Sequence, residues 1–158
     1  MSDRHRNSTR AESWLTKANE DLTTARLVYE VVGPYSSVCF HSQQAAEKAL
    51  KGFLLAHGVR YRPVHELPLL LSMCAEIEAD FAAWMDEAEL LAPYYIEARY
   101  PAEPLITYPR EVAEKALRAA EQLCQFVRER LVTQDVESKD ETLNEDDDAS
   151  CDDGDHDP

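Results

Sequence analysis

The chain has 158 residues, of which 44% are hydrophobic, enough for one domain with a substantial core. No apolar run approaches the ~20 residues needed to cross a bilayer, so no membrane-spanning helix is expected. The net charge of −15 is concentrated after residue 132, because residues 133–158 carry 12 acidic residues and one basic residue. Residues 1–132 carry 19 acidic and 15 basic residues, a balance that neither requires nor excludes an RNA partner.

The first predicted helix spans about residues 10–32. Thr9 and Glu12 have the spacing of a capping box, in which two side chains satisfy backbone N–H groups at a helix start. Apolar residues then recur every three or four positions, which is typical of a helix with one buried face. Gly33-Pro34 ends the pattern, and residues 1–8 are expected to form a flexible N-terminus.

The second predicted helix begins after Pro34 and ends near His57, and its two faces differ. One face carries small and apolar residues and is expected in the core. The opposite face includes two large apolar residues, Phe40 and Leu55, which indicate either a dimer interface or cover by a neighbouring loop or helix. The polar residues of that face would form either a groove for an anion or ordinary solvated surface, and they are His41, Gln44, Lys48 and Lys51.

Three further helices are predicted in the remainder of the body. After a connection over residues 58–66, Leu67-Pro68 opens a third helix, and an apolar pattern over 81–98 indicates a fourth. Pro93 lies inside that pattern and should kink or split it. The last helix begins near Pro109, a favoured residue for a first turn. No segment alternates with a period of two, so the sequence predicts an all-α domain.

The composition changes abruptly at Thr133. Residues 133–158 contain no aromatic residue and many carboxylates, so they cannot bury enough apolar surface to offset the entropy lost on ordering. We therefore expect a helical body over 9–132 and a disordered acidic tail over 133–158. The tail could bind a partner or cations weakly, or could simply increase solubility.

The cysteines and the N-terminal residues indicate a cytoplasmic setting. No two cysteines form a C-x-x-C pair, and three of the four fall inside helical patterns, where a free thiol behaves as a small hydrophobe. The first ten residues contain no apolar stretch, so no secretory signal is expected. We expect free thiols, no metal site and no cofactor; the cysteines are Cys39, Cys74, Cys124 and Cys151.

Three segments together resemble the HEPN family of helical bundles. Residues Phe40–Lys51 look like the family's second helix, and Val64–Leu67 resembles its short His-acid-Leu turn. Tyr95–Pro101 resembles the tyrosine, arginine and proline run before the final helix. The order and spacing of these segments agree with the family, and the resemblance covers roughly residues 10–132.

This resemblance implies a four- to five-helix up-and-down antiparallel bundle that forms a homodimer. It also implies a small, minimal nucleotidyltransferase as partner in a toxin–antitoxin module, or a role in RNA processing. Many active members of the family are metal-independent ribonucleases with an Arg-x(4–6)-His motif at the dimer interface. In that chemistry a histidine exchanges the proton of the ribose 2′-OH, and an arginine neutralises the phosphate.

The chain departs from this motif. Arg99 lies at a suitable place, but residues 104–106 are proline, leucine and isoleucine where the histidine should be. Arg60 and His65 also fit the spacing, although they lie in the wrong loop with a proline between them. The sequence therefore predicts a protein without ribonuclease activity, and its candidate catalytic residues are Arg60, His65 and Arg99.

Arg99 and Tyr100 are the preferred pair for binding a nucleotide, an RNA or a partner. A planar guanidinium suits a phosphate or carboxylate, and the phenol could stack on a base. The alternative is that Arg99 pairs with Glu97, with Glu103 or with an acidic residue on a neighbouring helix. The resemblance also implies that the nucleotidyltransferase could attach AMP to a tyrosine, and Tyr100 and Tyr108 are the candidates.

A second basic patch lies before the third helix. Arg60 and Arg62 flank Tyr61, whose ring could stack on a base, and His65 follows. His65 would contact a nucleotide or RNA there, or would instead cap the third helix or hydrogen-bond the preceding loop. The hypotheses are thus a non-catalytic dimeric partner of a nucleotidyltransferase that binds a nucleotide or RNA, a metal-independent ribonuclease toxin, or a purely structural interaction module.

Overall fold

The computed structural model describes residues 2–60, 63–101 and 104–143, with side chains described as far as residue 132. Within these ranges the chain is helical and contains no β-strand, which confirms the predicted all-α fold. None of the helices in these ranges combines the length and the apolar character that crossing a membrane would require. The helices are α1 (Asp3–Glu30), α2 (Tyr35–Ala56), α3 (Leu67–Ile77), α4 (Met85–Leu91) and α5 (Arg110–Leu143).

Helix α2 is the centre of the bundle. It follows α1 after a four-residue connection, and α5 packs against both α1 and α2. Two hydrogen bonds fix the direction of α5: Arg110 donates to the Tyr29 hydroxyl over 3.1 Å, and Arg128 donates to the Asn19 side chain over 3.0 Å. Helix α5 therefore runs antiparallel to α1, as an up-and-down bundle requires.

Aromatic and aliphatic side chains from every helix meet in one core. The rings of Phe53 and Phe81 lie 4.4 Å apart between centroids, and both side chains are fully buried. Small residues on α2 and α5 allow the helices to approach closely. Burial raises the pKa of three thiols in this core to about 12, and they belong to Cys39, Cys74 and Cys124.

The start of α1 differs from the prediction. The helix begins at Asp3, and the Ser2 hydroxyl accepts a hydrogen bond from the backbone N–H of His5. The Thr9 hydroxyl donates to the His5 carbonyl over 3.1 Å, so the predicted Thr9 capping box is wrong. The extra turns pack against the other end of α2, where the Asn7 side chain lies close to Gly58. This tertiary packing extends the helix beyond its local start signal.

The other predicted boundaries agree with the structure in part. The predicted helix over 81–98 is divided into a 3₁₀ helix at Ala79–Trp84, α4, and a second 3₁₀ helix at Ala92–Tyr95, with Pro93 in the last segment. The backbone of α5 continues to Leu143, eleven residues past the expected boundary. Residues 144–158 of the expected tail lie outside the described residues.

We predict that Phe53→Ala lowers the free energy of unfolding by about 3–5 kcal/mol, because it leaves a cavity among fully buried rings. The matched control is Leu27→Ala, since Leu27 is 57% exposed and its loss should change stability by about 0.5 kcal/mol or less. Urea titrations followed by circular dichroism measure both variants. Equal effects of the two substitutions would contradict the described core.

Candidate binding site on the second helix

The polar residues of α2 form two buried or half-buried networks rather than one exposed groove. Glu47 and Lys51 are each 4% exposed, and the Lys51 ammonium donates to Glu47 Oε1 over 2.7 Å. The same ammonium lies 5.5 Å from the ring centroid of Trp14 on α1. The expectation that Lys51 lies on an exposed face was therefore wrong, because α1 covers that part of α2.

Glu47 organises the first network. Its carboxylate accepts hydrogen bonds from Gln43 over 3.1 Å and from His65 Nδ1 over 2.9 Å, in addition to the one from Lys51. Gln44 donates to the Gln43 side-chain oxygen over 2.7 Å. Burial raises the pKa of Glu47, but the hydrogen bonds from Lys51, Gln43 and His65 outweigh it, so the pKa lies below its ordinary value.

Asp21 of α1 organises the second network. Its carboxylate accepts hydrogen bonds from His41 Nδ1 over 2.8 Å and from the Lys48 ammonium. Burial alone raises the pKa of Asp21. The hydrogen bonds from His41 and Lys48 lower it by a larger amount, so the pKa lies below its ordinary value. Two residues predicted to line an anion groove thus hold α1 against α2.

Both histidines have the same arrangement. A carboxylate only accepts hydrogen bonds, so Nδ1 of His41 and of His65 carries a proton, and Nε2 of either ring can accept a hydrogen bond whenever it carries none. The His65 side chain is 42% exposed, whereas that of His41 is 29% exposed. Each ring is therefore oriented by a carboxylate and accessible in part, which is the arrangement of a general base.

Arg99 lies between these two networks on an aromatic support. Its guanidinium carbon is 5.1 Å from the ring centroid of Phe40, 5.8 Å from that of Tyr95 and 5.5 Å from that of Tyr100. His65 stacks on Tyr95 at 4.4 Å with a 10° angle between the planes. We call these five residues the Arg99 surface.

Arg99 is exposed, and no described carboxylate oxygen lies within 4.0 Å of its guanidinium. The alternative pairing with Glu97 is not found, and Glu103 lies outside the described residues. The aromatic rings hold the guanidinium by cation–π contacts without neutralising it. The Arg99 surface can therefore bind a phosphate or a carboxylate from another molecule.

Exposed apolar side chains flank Arg99. Ile96 is 61% exposed, Tyr100 59% and Leu105 80%. Arginine and tyrosine among exposed apolar groups are the composition of a protein interface. The sequence signal for this interface is the run of apolar residues between and after the prolines of this segment. From the sequence alone, the segment was interpreted only as the end of a helix.

The other candidate residues occupy different environments. Leu55 is 7% exposed, which agrees with the predicted alternative of cover by a neighbouring element, and the guanidinium of Arg99 lies over the ring of Phe40. Tyr108 is half-buried against Tyr94, and burial raises its pKa. Arg60 is exposed.

Several of the predicted roles are not tested by the contacts of the described residues. Arg62 and Tyr61 lie outside the described residues. The homodimer and the modification of Tyr100 or Tyr108 stay predictions. In the described part of the chain, no group of three or more metal-ligating side chains is arranged to hold a metal ion.

Comparisons with known proteins identify a family. A family model described as HEPN domain matches residues 11–130. The chain is 26% identical over 145 residues to the protein named Putative toxin MJ1304 from Methanocaldococcus jannaschii, covering 83% of this chain and 94% of that protein.

Two crystal structures are similar over most of their length. TT1696 from Thermus thermophilus is 35% identical with a TM-score of 0.65, covering 76% of this chain and 97% of its own. ST0689, described as an archaeal HEPN homologue, is 31% identical with a TM-score of 0.63, covering 77% and 97%. Identity, coverage and fold agree with the family match.

We predict that Glu47→Gln lowers the free energy of unfolding at pH 7 by about 3–5 kcal/mol, because the buried Lys51 loses its counter-charge. The pKa of Glu47 is lower in the folded state than its ordinary value of 4.5. The advantage of the natural chain is therefore present above pH 4.5 and is lost as the pH falls through the folded-state pKa.

Urea titrations of both chains at pH 7, 5 and 3 test this prediction, and the difference in stability should narrow at pH 3. Glu20→Gln is the control, because Glu20 forms an exposed pair with Lys17 and its loss should cost about 1 kcal/mol or less. A difference that is constant across this pH range would contradict the role of Glu47.

Proposed function

The chain belongs to the HEPN domain family, and from this premise we propose that it is a non-catalytic, homodimeric partner of a small nucleotidyltransferase. The two proteins would form a toxin–antitoxin pair, with the Arg99 surface bound to the nucleotidyltransferase and to the phosphates of its nucleotide. The similarity to the relative named Putative toxin MJ1304 supports membership of such a pair.

The observation that carries this proposal is the exposed guanidinium of Arg99. It rests on Phe40, Tyr95 and Tyr100 and has no described carboxylate partner. A cation fixed by aromatic rings loses little conformational entropy when it binds an anion. Ile96 and Tyr100, which lie three residues before and one residue after Arg99 in the chain, expose further apolar area, which favours a protein partner that carries a phosphate or carboxylate.

The absence of catalysis is proposed from the sequence of the same segment. The family's ribonucleases need a histidine five to seven residues after the arginine, and this chain has proline, leucine and isoleucine at 104–106. A proline removes a backbone donor and restricts the residue before it, so the segment is poorly suited to a helical turn. Arg99 would then bind a phosphate without a histidine from its own motif.

We predict that Arg99→Ala weakens binding to the proposed nucleotidyltransferase partner by at least about 30-fold. This factor corresponds to about 2 kcal/mol, the threshold for an interface arginine that dominates binding. Isothermal titration calorimetry measures the affinity, and light scattering reports whether the chain is a dimer.

The control is Arg10→Ala, which removes an exposed arginine near the start of α1 and should leave the affinity unchanged within about twofold. Failure of the natural chain to form a complex, or equal losses for both variants, would refute the proposal.

A second candidate function is metal-independent RNA cleavage, and one observation favours it. Arg99 contacts Phe40 and Tyr95, and those rings contact His41 and His65. The fold thus brings two carboxylate-oriented histidines near an arginine, although the sequence motif lacks its histidine. A histidine could take the proton of a ribose 2′-OH, and Arg99 could neutralise the phosphate.

The two functions make opposite predictions for RNA. We expect the purified chain to leave a structured RNA intact in the presence of EDTA, and His65→Ala to be indistinguishable from it. The ribonuclease alternative requires cleavage that persists in EDTA and falls by about 10²-fold or more in His65→Ala. Gel electrophoresis of labelled RNA measures the outcome. Cleavage that resists EDTA and is lost in His65→Ala would favour the ribonuclease function over the non-catalytic one.

A further inference from the structure

A cleft of about 690 Å³ lies at the opposite end of α2 from the Arg99 surface. Its walls come from the first turns of α1, the end of α2 and the last described side chains of α5. Phe40 and Ala56 are separated by 16 residues of one helix, or about 24 Å along its axis. The cleft is therefore separate from the site described above, and its size lies within the usual range for small-molecule sites.

The floor of the cleft is apolar. Ala11 and Leu15 of α1 face Ala56 of α2, and Leu131 and Val132 of α5 complete the lining. Ala11 is 4% exposed, whereas Val132 is 63% exposed. The apolar surface thus continues from the core to the solvent, and a ligand with an apolar body would gain free energy by covering it.

The rim of the cleft is positively charged. Arg4 of α1 and Arg128 of α5 line it, and Glu12 is the one acidic residue among the described lining. Arg128 is half-buried, and its Nη2 donates to the neutral Asn19 side chain over 3.0 Å. No carboxylate oxygen of the described residues lies within 4.0 Å of this guanidinium. A half-buried cation without a counter-charge is stabilised when an anion binds beside it.

We propose that this cleft binds a small amphipathic anion, with an apolar body on the floor and a carboxylate, sulfonate or phosphate at Arg128. The binding site does not depend on the proposed function, because it shares no residue with the Arg99 surface. The apolar body could be an acyl chain or an aromatic ring system, and the experiment separates these two sources.

The test uses two fluorescent probes of similar shape on the full-length chain. The anionic probe is 1-anilinonaphthalene-8-sulfonate, and N-phenyl-1-naphthylamine is its neutral analogue without the sulfonate. We expect one anionic probe to bind per chain. Arg128→Gln should weaken the anionic probe about tenfold, because a charge-assisted hydrogen bond is lost, and change the neutral probe by less than about twofold.

Two further variants and one control localise the probe. Ala56→Phe should abolish binding of both probes because it fills the floor, and Val132→Trp gives a second obstruction at an exposed position. Arg118→Gln removes an exposed arginine that pairs with Glu114 elsewhere on α5, and it should leave both probes unaffected. Displacement by decanoate or by 1-naphthoate then shows whether the site prefers an acyl or an aromatic body.

Cooperative urea unfolding of each variant confirms that the probe reports on a folded chain. Equal affinities for the natural chain and Arg128→Gln would overturn the proposal, as would binding that survives Val132→Trp. If the natural chain is a dimer that excludes the probes and Val132→Trp makes it a monomer, a second copy occupies the cleft, and the proposal fails.

Discussion

The buried carboxylate of Glu47 determines the geometry of the candidate site. A carboxylate that is almost removed from water needs donors on both oxygens, and Lys51, Gln43 and His65 supply them. His65 is the donor that comes from outside α2, so this bond fixes the segment before α3. The His65 ring then stacks on Tyr95, and Tyr95 supports Arg99. The buried carboxylate of Glu47 thus positions the exposed guanidinium of Arg99 through His65 and Tyr95.

The sequence predicted the helices well because helical periodicity is a local property. Helix α2 and the division near Pro93 follow directly from residue spacing and proline chemistry. The burial of Lys51 and Leu55, on the face predicted to lie opposite the core, has one cause. A helical projection identifies the face opposite the core, but α2 is enclosed by several neighbours, and the number of neighbours cannot be inferred from one helix.

The sequence predicted only part of the candidate site, because several of its contacts join residues that are distant in sequence. Arg99 was recognised from its residue type and its place in the segment, whereas Asp21 and Tyr95 were missed. Their partners are far away in sequence, since Asp21 binds Lys48 and Tyr95 stacks on His65. One local signal existed for Glu47, because a glutamate four residues before a lysine on a largely apolar helix forms an intrahelical pair.

The length of α5 carries a group of acidic residues away from the body of the bundle. The helix begins near Tyr29, close to the Arg99 end, and its backbone continues eleven residues past Val132. Those eleven residues contain four acidic residues and one basic residue, and they extend about 17 Å beyond the described side chains. This acidic segment of α5 therefore lies beyond the cleft that Arg4 and Arg128 line, and it opposes part of their attraction for an anion. The Arg99 surface lies at the other end of α2, well beyond the ~8 Å over which physiological salt screens such charges, so the segment has little effect there.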